Sequence, residues 1–347
     1  MGHGFFRRAA ALPLMLALLL TLPACGSPRR HDKTYYTFFD TVTTVVGYGS
    51  EKEFAAACAI AEDTLETYHR LCDIYHEYSG MNNLCTVNLR AGEAPVAVAP
   101  ELLDVLSYAR EMYDETDGQC NIALGAVLSL WHECRETALA GGEAALPAED
   151  ALQEAARHCD IDNLVLDRAA GTVFLADSAM SLDLGAVAKG YAVEQAARAM
   201  ESAGYTGYAL SVGGNVRTLG PKGDGTPWIA GVQNPDTDSE SAYVLRLSLA
   251  DASLVTSGSY QRFYEVDGAR YHHIISPDTL YPKNEFLSVS ILCADSARAD
   301  VLSTAVFNMD FSRGYDYVNH LEDVEACWIR ADGEIVCTDG FASRLLE

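Results

Sequence analysis

The sequence predicts an α+β protein. Helical periodicities gather before residue 204 and strand signals after residue 207. No long linker splits the body, and no repeat of 20–50 residues appears. Segregated helices and strands favour α+β over a doubly wound parallel sheet, which would alternate them.

The N-terminus reads as a processing signal. Arg7 and Arg8 form a basic region, and Ala9 to Leu22 an apolar run too short to span a bilayer comfortably. Leu22-Pro23-Ala24-Cys25 follows and resembles a bacterial lipobox. Residues 1–24 are therefore expected to be a lipoprotein signal peptide. Cys25 is expected to be the lipidated mature N-terminus, residues 25–33 a polar tether, and 34–347 the folded domain. The alternative is an ordinary secretory peptide cut near Ala24.

Thr34 to Gly49 is rich in Thr, Val, Phe and Tyr and predicts a first strand. Glu51 to Tyr75 predicts a long amphipathic helix. Pro100 to Thr116 predicts another, with proline at its start, and Ala123 to Thr137 a third. Gly141-Gly142 and Pro147 mark a loop before a short helix, Ala148 to Cys159. Asn163–Asp167 and Thr172–Ala176 predict a hairpin. Alanines 188, 192, 196, 199 and 203 stripe a helix that Gly204 ends.

Strands are expected at Tyr208–Val212, Val216–Leu219, Trp228–Val232 and Tyr243–Leu249. Asp267-Gly268 turns a hairpin of Ser259–Val266 and Ala269–Ile275. Leu287–Leu292 leads into a helix capped by Asp295 or Ser296. Cys327–Thr338 forms a last hairpin.

The formal charge is −25, and loss of Arg7 and Arg8 makes it −27. Such a body is repelled by nucleic acid and by anionic lipid. Nine cysteines lie beyond Cys25, without zinc-type C-x-x-C pairs. Several sit among apolar residues and read as buried free thiols. Cys327 and Cys337 are the expected pair if any disulfide forms.

Chemistry concentrates in a few segments. Asp300 and Thr304 are four apart and share a helix face that is otherwise small and apolar. Both are hard oxygen ligands suited to Mg²⁺. On spacing alone, the alternative stays open: Asp300 accepting from a backbone amide, with Thr304 bonding back into its own helix. In Asp183-Leu184-Gly185-Ala186-Val187-Ala188-Lys189-Gly190, a strand end and turn open a helix whose free amides suit an anion. No G-x-G-x-x-G or Walker pattern occurs. Gly213-Gly214-Asn215 permits a close backbone approach or a tight turn. Arg262 can hold a phosphate. His272 and His273 adjoin on a strand, so at most one faces a given site.

In order and approximate spacing, these segments resemble the ApbE family of FAD:protein FMN transferases. The segments are Asp183-Leu184-Gly185-Ala186-x-Ala188-Lys189-Gly190, Gly213-Gly214-Asn215, Thr256-Ser257-Gly258-x-Tyr260-x-Arg262, His273-Ile274-Ile275-x-Pro277 and Ala299-Asp300-x-x-Ser303-Thr304-Ala305. Asp117-Gly118, Asn121-Ile122 and Trp131 resemble its N-terminal half. Ser276 stands where the family usually has Asp, and Thr279-Leu280 where it has Thr-Gly. Gln119, Cys120 and Asn121 replace the end of its Asp-Gly-Ala-Phe-Asp motif.

The resemblance implies a mixed, largely antiparallel sheet core with flanking helices. It implies FAD as substrate, Mg²⁺ as cofactor, and transfer of FMN to a threonine hydroxyl of a partner flavoprotein with release of AMP. It maps the metal to Asp300, Thr304 and the carbonyl of Ala186. FAD contacts map to Asp183, Lys189, the backbone at Ile274, and the segment Gln119, Cys120 and Asn121. The catalytic base maps to His273. A lipid anchor would hold such an enzyme on the extracytoplasmic face of the cell membrane, near a membrane redox complex. An FAD pyrophosphatase, a non-catalytic FAD-binding lipoprotein and a solute-binding lipoprotein are the alternatives.

Overall fold

The computed structural model describes residues 29–346. The signal segment and Cys25 lie outside them. The elements run β1 (Arg30–Phe38), β2 (Thr41–Tyr48), α1 (Glu51–Leu71), α2 (Leu84–Leu89), β3 (Val96–Ala97), α3 (Pro100–Glu115), α4 (Gly125–Leu139) and α5 (Glu149–Ala156). Then come β4 (Leu164–Asp167), β5 (Thr172–Leu175), α6 (Ala188–Ser202), β6 (Tyr208–Val212), β7 (Asn215–Leu219), β8 (Trp228–Gln233), β9 (Tyr243–Leu249) and β10 (Ser253–Gly258). The chain closes with β11 (Phe263–Val266), β12 (Ala269–His272), β13 (Phe286–Cys293), α7 (Ser296–Asn308), α8 (Phe311–His320), β14 (Glu325–Arg330), β15 (Ile335–Cys337) and α9 (Asp339–Ala342).

Eight strands form the main sheet in the order β1-β2-β6-β7-β10-β13-β14-β15. Every neighbouring pair is antiparallel. One face carries α1, α6 and α7, with α6 packed against both others. Val45, Leu210, Val212 and Val255 point into this helical core. Val46, Ala209, Val216 and Leu254, each the neighbour of an inward residue or one step from it, face the opposite side. That is the period-two alternation of a sheet with two different faces. The expected α+β class is observed.

Local chemistry sets the helix ends. Ser50 and Glu53 make a reciprocal capping box on α1. Pro100 opens α3. Asp295 caps α7, accepting from the amides of Ala297 and Arg298 at 2.7 and 3.0 Å.

Four expectations are corrected. Thr34–Gly49 is a hairpin, not one strand, because the chain reverses at Phe39 and Asp40, whose φ values are +52° and +50°. A turn made without glycine leaves little trace in a β-rich run. The expected tether ends early, since Arg30–Lys33 already pair with Val45–Tyr48. No strand ends at Asp183, since only Ser181 makes an isolated bridge there, to Leu124; Ser253–Gly258 forms a central strand, β10, that was not anticipated. β11 and β12 are shorter than expected, because residues 259–262 and 273–277 leave the ladder. The helix α8, capped by no side chain and interrupted by Gly314, was not anticipated.

All nine cysteines within the described residues are free. Cys327 and Cys337 stand opposite each other across β14 and β15. Burial pushes the thiols of Cys72, Cys120 and Cys293 up to about 12, so none supplies a thiolate at neutral pH.

Candidate active site

A cavity of about 540 Å³ opens beyond the N-terminus of α6, beside α7 and the segment after β12. All ten residues proposed from sequence for FAD, metal or catalysis line it: Gln119, Cys120, Asn121, Asp183, Ala186, Lys189, His273, Ile274, Asp300 and Thr304. They come from four separate stretches of chain, 119–121, 183–189, 273–274 and 300–304.

The centre of the site is a junction between two helices. α6 starts after Val187, which has no side chain able to cap it. Asp300 on α7 takes that role instead: its Oδ2 accepts the backbone N–H of Gly190 at 2.7 Å. A carboxylate here also complements the positive end of the α6 dipole. Gly190 is required for this approach. A Cβ at that position would lie 2.3 Å from Asp300 Cβ and 2.4 Å from the Ser296 carbonyl oxygen.

The junction has a second consequence. Gly190 N–H is the donor four residues beyond Ala186, and it is committed to Asp300. The Ala186 carbonyl accepts no hydrogen bond among the described residues. Thr304, one turn after Asp300, does not bond back into its helix. Its Oγ1 lies 3.3 Å from Ser257 Oγ, which also contacts Ser303 Oγ at 2.8 Å. One carboxylate, one hydroxyl and one unpaired carbonyl therefore face the same space.

This donor set fits a hard cation such as Mg²⁺, which takes few protein oxygens and completes its shell with water or substrate. Among the described residues no group of three or more His, Cys, Asp or Glu side chains could hold a metal, so a zinc-type site is not offered. The bland reading of Asp300 is half right. It does satisfy a backbone amide, but with one oxygen only.

Cationic groups surround the donors. Lys189 Nζ sits 3.9 Å from Asp300 Oδ2 and donates to the Gly185 carbonyl at 3.1 Å. Arg262 lines the same cavity. Asp183 accepts from the Gly185 N–H at 2.7 Å. Burial raises its carboxyl pKa, opposed by that amide, His132 and Lys189.

The two histidines separate as strand geometry requires. His272 is buried against Phe307, with ring centroids 5.4 Å apart. It donates Nε2–H to the Lys283 carbonyl (3.1 Å) and accepts Ile274 N–H at Nδ1 (3.2 Å), which fixes a neutral tautomer. The Ile274 amide is thus engaged, and its carbonyl is the backbone group left for a ligand. His273 faces the cavity. Its Nδ1 lies 3.3 Å from the Arg262 carbonyl, so Nδ1 carries the proton and Nε2 is the basic atom. Desolvation first, then the nearby Arg262, His272 and Lys189, hold its pKa below the usual imidazole range. The ring is exposed to the cavity.

Three buried amides in the wall have an unmet atom: Gln119 Oε1, Asn215 Nδ2 and Asn308 Oδ1. Gln119 is oriented by its donation to Asp278 (3.1 Å), and Asn308 by its donations to the carbonyls of Gln119 and Ile275. Buried orphan groups are costly unless a ligand meets them. Asn121 differs, because both ends of its side chain hold the fold, through Cys159 O and Ala123 N. Of the segment 119–121, Gln119 therefore carries the unmet polar atom. Asn308 was missed from sequence, although it extends the Asp300–Thr304 spacing by another four residues. The aromatic wall of Tyr75, Tyr78, Trp131 and His132 was also missed apart from Trp131. Tyr75 and His132 pair at 5.4 Å.

An antiparallel α+β scaffold gathers oxygen donors, cationic side chains and a neutral imidazole in one aromatic-walled cavity, as suits an enzyme of the transferase class. Within that class the chain belongs to the ApbE family, whose sequence model matches residues 39–328. The FAD:protein FMN transferase of Treponema pallidum is 34% identical over 276 residues, covering 76% of this chain and 74% of that protein. A Klebsiella pneumoniae protein of the same name is 29% identical over 279 residues, covering 80% and 84%. The crystal structure of the ApbE protein from Thermotoga maritima superposes with a TM-score of 0.80 at 25% identity, covering 92% of this chain and 100% of that one. The flavin transferase ApbE from Vibrio cholerae shares the fold, with a TM-score of 0.77 at 23% identity.

Proposed function

We propose that this protein is an FAD:protein FMN transferase. It cleaves the FAD pyrophosphate with Mg²⁺, joins FMN to a threonine hydroxyl of an acceptor flavoprotein, and releases AMP. The observation that carries this reading is the convergence of Ala186 O, Asp300 and Thr304 with Lys189 and His273 in one cavity. Bound Mg²⁺ would neutralise pyrophosphate charge and stabilise the leaving phosphate.

The chain's own groups supply the rest. Lys189 and Arg262 offset the charge of the pyrophosphate, Arg262 having the fork that suits it. Gln119, Asn215 and Asn308 offer one acceptor or donor each to the polar edges of a bound dinucleotide. Tyr75 and Trp131 give its rings an apolar wall. His273 Nε2 takes the proton of the attacking hydroxyl. The threonine oxygen then bonds to the FMN phosphorus while the bond from that phosphorus to the bridging oxygen breaks. AMP departs with the bonding electron pair.

The test is to incubate the protein with FAD, Mg²⁺ and a candidate acceptor domain and weigh the acceptor. A gain of one FMN residue is expected. Free FMN and AMP with an unmodified acceptor would make the protein a pyrophosphatase, and FAD bound without turnover a storage protein. FAD should also bind more tightly than riboflavin in a fluorescence titration.

We further propose attachment to the extracytoplasmic face of the membrane through lipid on Cys25. Support comes from the order of Arg7 and Arg8, the apolar run and Leu22-Pro23-Ala24-Cys25. Among the described residues no helix is long and apolar enough to cross a membrane. Cys25→Ser should release the protein from membranes, and unchanged retention with the signal cleaved would show another anchor.

A further inference from the structure

A second cavity, of about 720 Å³, lies on the face of the main sheet opposite α1, α6 and α7. Its floor is made by outward residues of β2, β6, β7 and β10, among them Val46, Ser211, Val216 and Leu254. Its roof is β8. We propose that this groove receives an extended segment of the acceptor protein, paired against the free edge of β8. The proposal rests on the transferase reading and names the docking surface of the second substrate.

Three observations carry it. First, β8 pairs with β9, and β9 is closed on its far side by Ser248 N–H to Arg344 O (2.9 Å) and Leu346 N–H to Arg246 O (2.8 Å). Among the described residues no backbone bond reaches the other edge of β8. Five of its six residues line the groove. An unpaired edge in a groove is a template for strand addition, with main-chain bonds giving affinity and alternate side-chain pockets giving selectivity.

Second, the groove runs into the catalytic cavity. Gly213, Thr256, Gly258 and Gln261 belong to both. Consecutive β10 residues point to opposite faces, so Thr256 faces the groove while Ser257 meets Thr304 at 3.3 Å. Gly213 and Gly258 carry no side chains of their own at the join, where Thr41 and the Tyr260 ring pack closely against them. Gln261 Nε2 donates to Gln233 Oε1 (2.8 Å), linking the end of β8 to the loop that carries Arg262. A hydroxyl on a strand in the groove thus has a short path to the oxygen donors.

Third, the charge is unlike the rest of the molecule. In a chain of net charge −25, no Asp or Glu lines the groove. Its charged residues are Arg30, which pairs with Asp32 at 2.8 Å, and Lys222. Ile229 and Tyr243, about half exposed, supply apolar surface. The groove suits a neutral or mildly acidic extended segment with apolar side chains flanking the hydroxyl residue.

The experiment uses the full chain with FAD, Mg²⁺ and an apo-flavoprotein whose threonine takes FMN. The double variant Ile229→Glu/Lys222→Glu should raise the acceptor KM at least tenfold, with kcat and FAD affinity unchanged. Val165→Glu, an exposed apolar position on β4, should leave all three unchanged. In hydrogen exchange, the same acceptor with its threonine changed to alanine should protect the amides of residues 228–233. An unaltered KM in the double variant, or no added protection of β8, would overturn the proposal. Full protection without acceptor, independent of protein concentration, would give the groove to the chain's own N-terminal segment. Protection that grows with concentration would give it to a second copy. Either result also overturns the proposal. If the wild-type chain forms no FMN adduct, the transferase reading fails and this inference with it. An adduct that forms with unchanged KM in the variant sinks the docking site alone.

Discussion

Gly190 donates its backbone N–H to Asp300 Oδ2 at 2.7 Å, linking two helices whose residues lie 110 positions apart. The contact caps α6, aims Asp300 and leaves the Ala186 carbonyl unpaired. Gly190→Ala tests all three at once. The added Cβ meets the Ser296 carbonyl oxygen, a backbone atom that cannot rotate away. Overpacking of this kind costs about 1–3 kcal/mol. The variant should melt earlier and, in its folded fraction, lose Mg²⁺-dependent transfer. Wild-type transfer by folded Gly190→Ala would separate the cap from the site.

Asp300 does two jobs, so two substitutions divide them. Asp300→Ala loses the cap and the charge, costing roughly 1 kcal/mol of stability as well as activity. Asp300→Asn keeps an acceptor for Gly190 N–H and loses the charge. It should stay within about 1 kcal/mol of wild type in stability while transfer falls by orders of magnitude. Thr304→Ala should be milder in activity, since water can replace a neutral ligand. Melting temperature and Mg²⁺-dependent transfer, measured on the same samples, check this. Near-normal transfer by Asp300→Asn would remove the metal assignment.

His273 sets a pH dependence. Its pKa is held below the ordinary value of 6.5, by desolvation first and then by neighbouring cations. The neutral, basic ring therefore persists below pH 6.5 and is lost only as pH falls through the lowered value. The acid limb of kcat/KM for acceptor should lie below pH 6.5. Arg262→Gln removes one of the cations and should move that limb upward. A limb at or above 6.5 in the wild type would exclude His273 as the base.

The candidate residues of this site stand out as local patterns, but their assignment to metal and FAD comes from the resemblance to the ApbE family, because spacing alone leaves the alternatives open. Asp300 and Thr304 share a helix face at a spacing of four, and Asp183 to Gly190 leads into a helix, though from a turn and not from the end of a strand. What could not be read is what other segments do to them. No spacing reveals that Gly190 N–H leaves its own helix for Asp300, because that partner is 110 residues away. Likewise β10 was hidden, since Thr256-Ser257-Gly258 lacks the apolar alternation of a strand; its pairing is set by β7 and β13 on either side. The hairpin turn at Phe39-Asp40 was hidden for the opposite reason. A phenylalanine at positive φ contradicts local preference and is held by tertiary contacts, including its N–H to His69 Nδ1 at 3.3 Å.

His272 makes a separate prediction about stability. Burial lowers its pKa to about 4, against 6.5 in an unfolded chain. Between those values the unfolded state binds more protons than the folded one. The stabilisation is therefore complete above pH 6.5 and is lost as pH falls toward 4. A difference of about 2.5 units corresponds to roughly 3 kcal/mol. Protonating Nδ1 would also set a donor against the Ile274 N–H. Denaturant unfolding of wild type and His272→Gln across this window should give curves that converge at low pH. Parallel curves would show that His272 does not titrate with folding.

Leu280 stands where the resemblance implied a glycine, and its backbone shows why that matters. Its φ is +63°, a left-handed conformation that costs a leucine about 1–2 kcal/mol. The residue is nonetheless fixed at both ends of its peptide. Its N–H donates to the Ser276 carbonyl (2.8 Å), and its carbonyl accepts Trp131 Nε1–H (2.9 Å). The side chain is buried with Trp131 and Tyr264, and that burial contributes roughly 1.5–3 kcal/mol. Packing thus offsets the backbone strain. Leu280→Ala removes most of the packing and keeps the strain, whereas Leu280→Gly removes both. In an ordinary core position glycine is the worse replacement; here the order should invert, with Leu280→Gly more stable than Leu280→Ala by about 1 kcal/mol and both below wild type. Urea midpoints of the three proteins decide it. An alanine variant at least as stable as the glycine variant would mean that the left-handed backbone at 280 carries no strain.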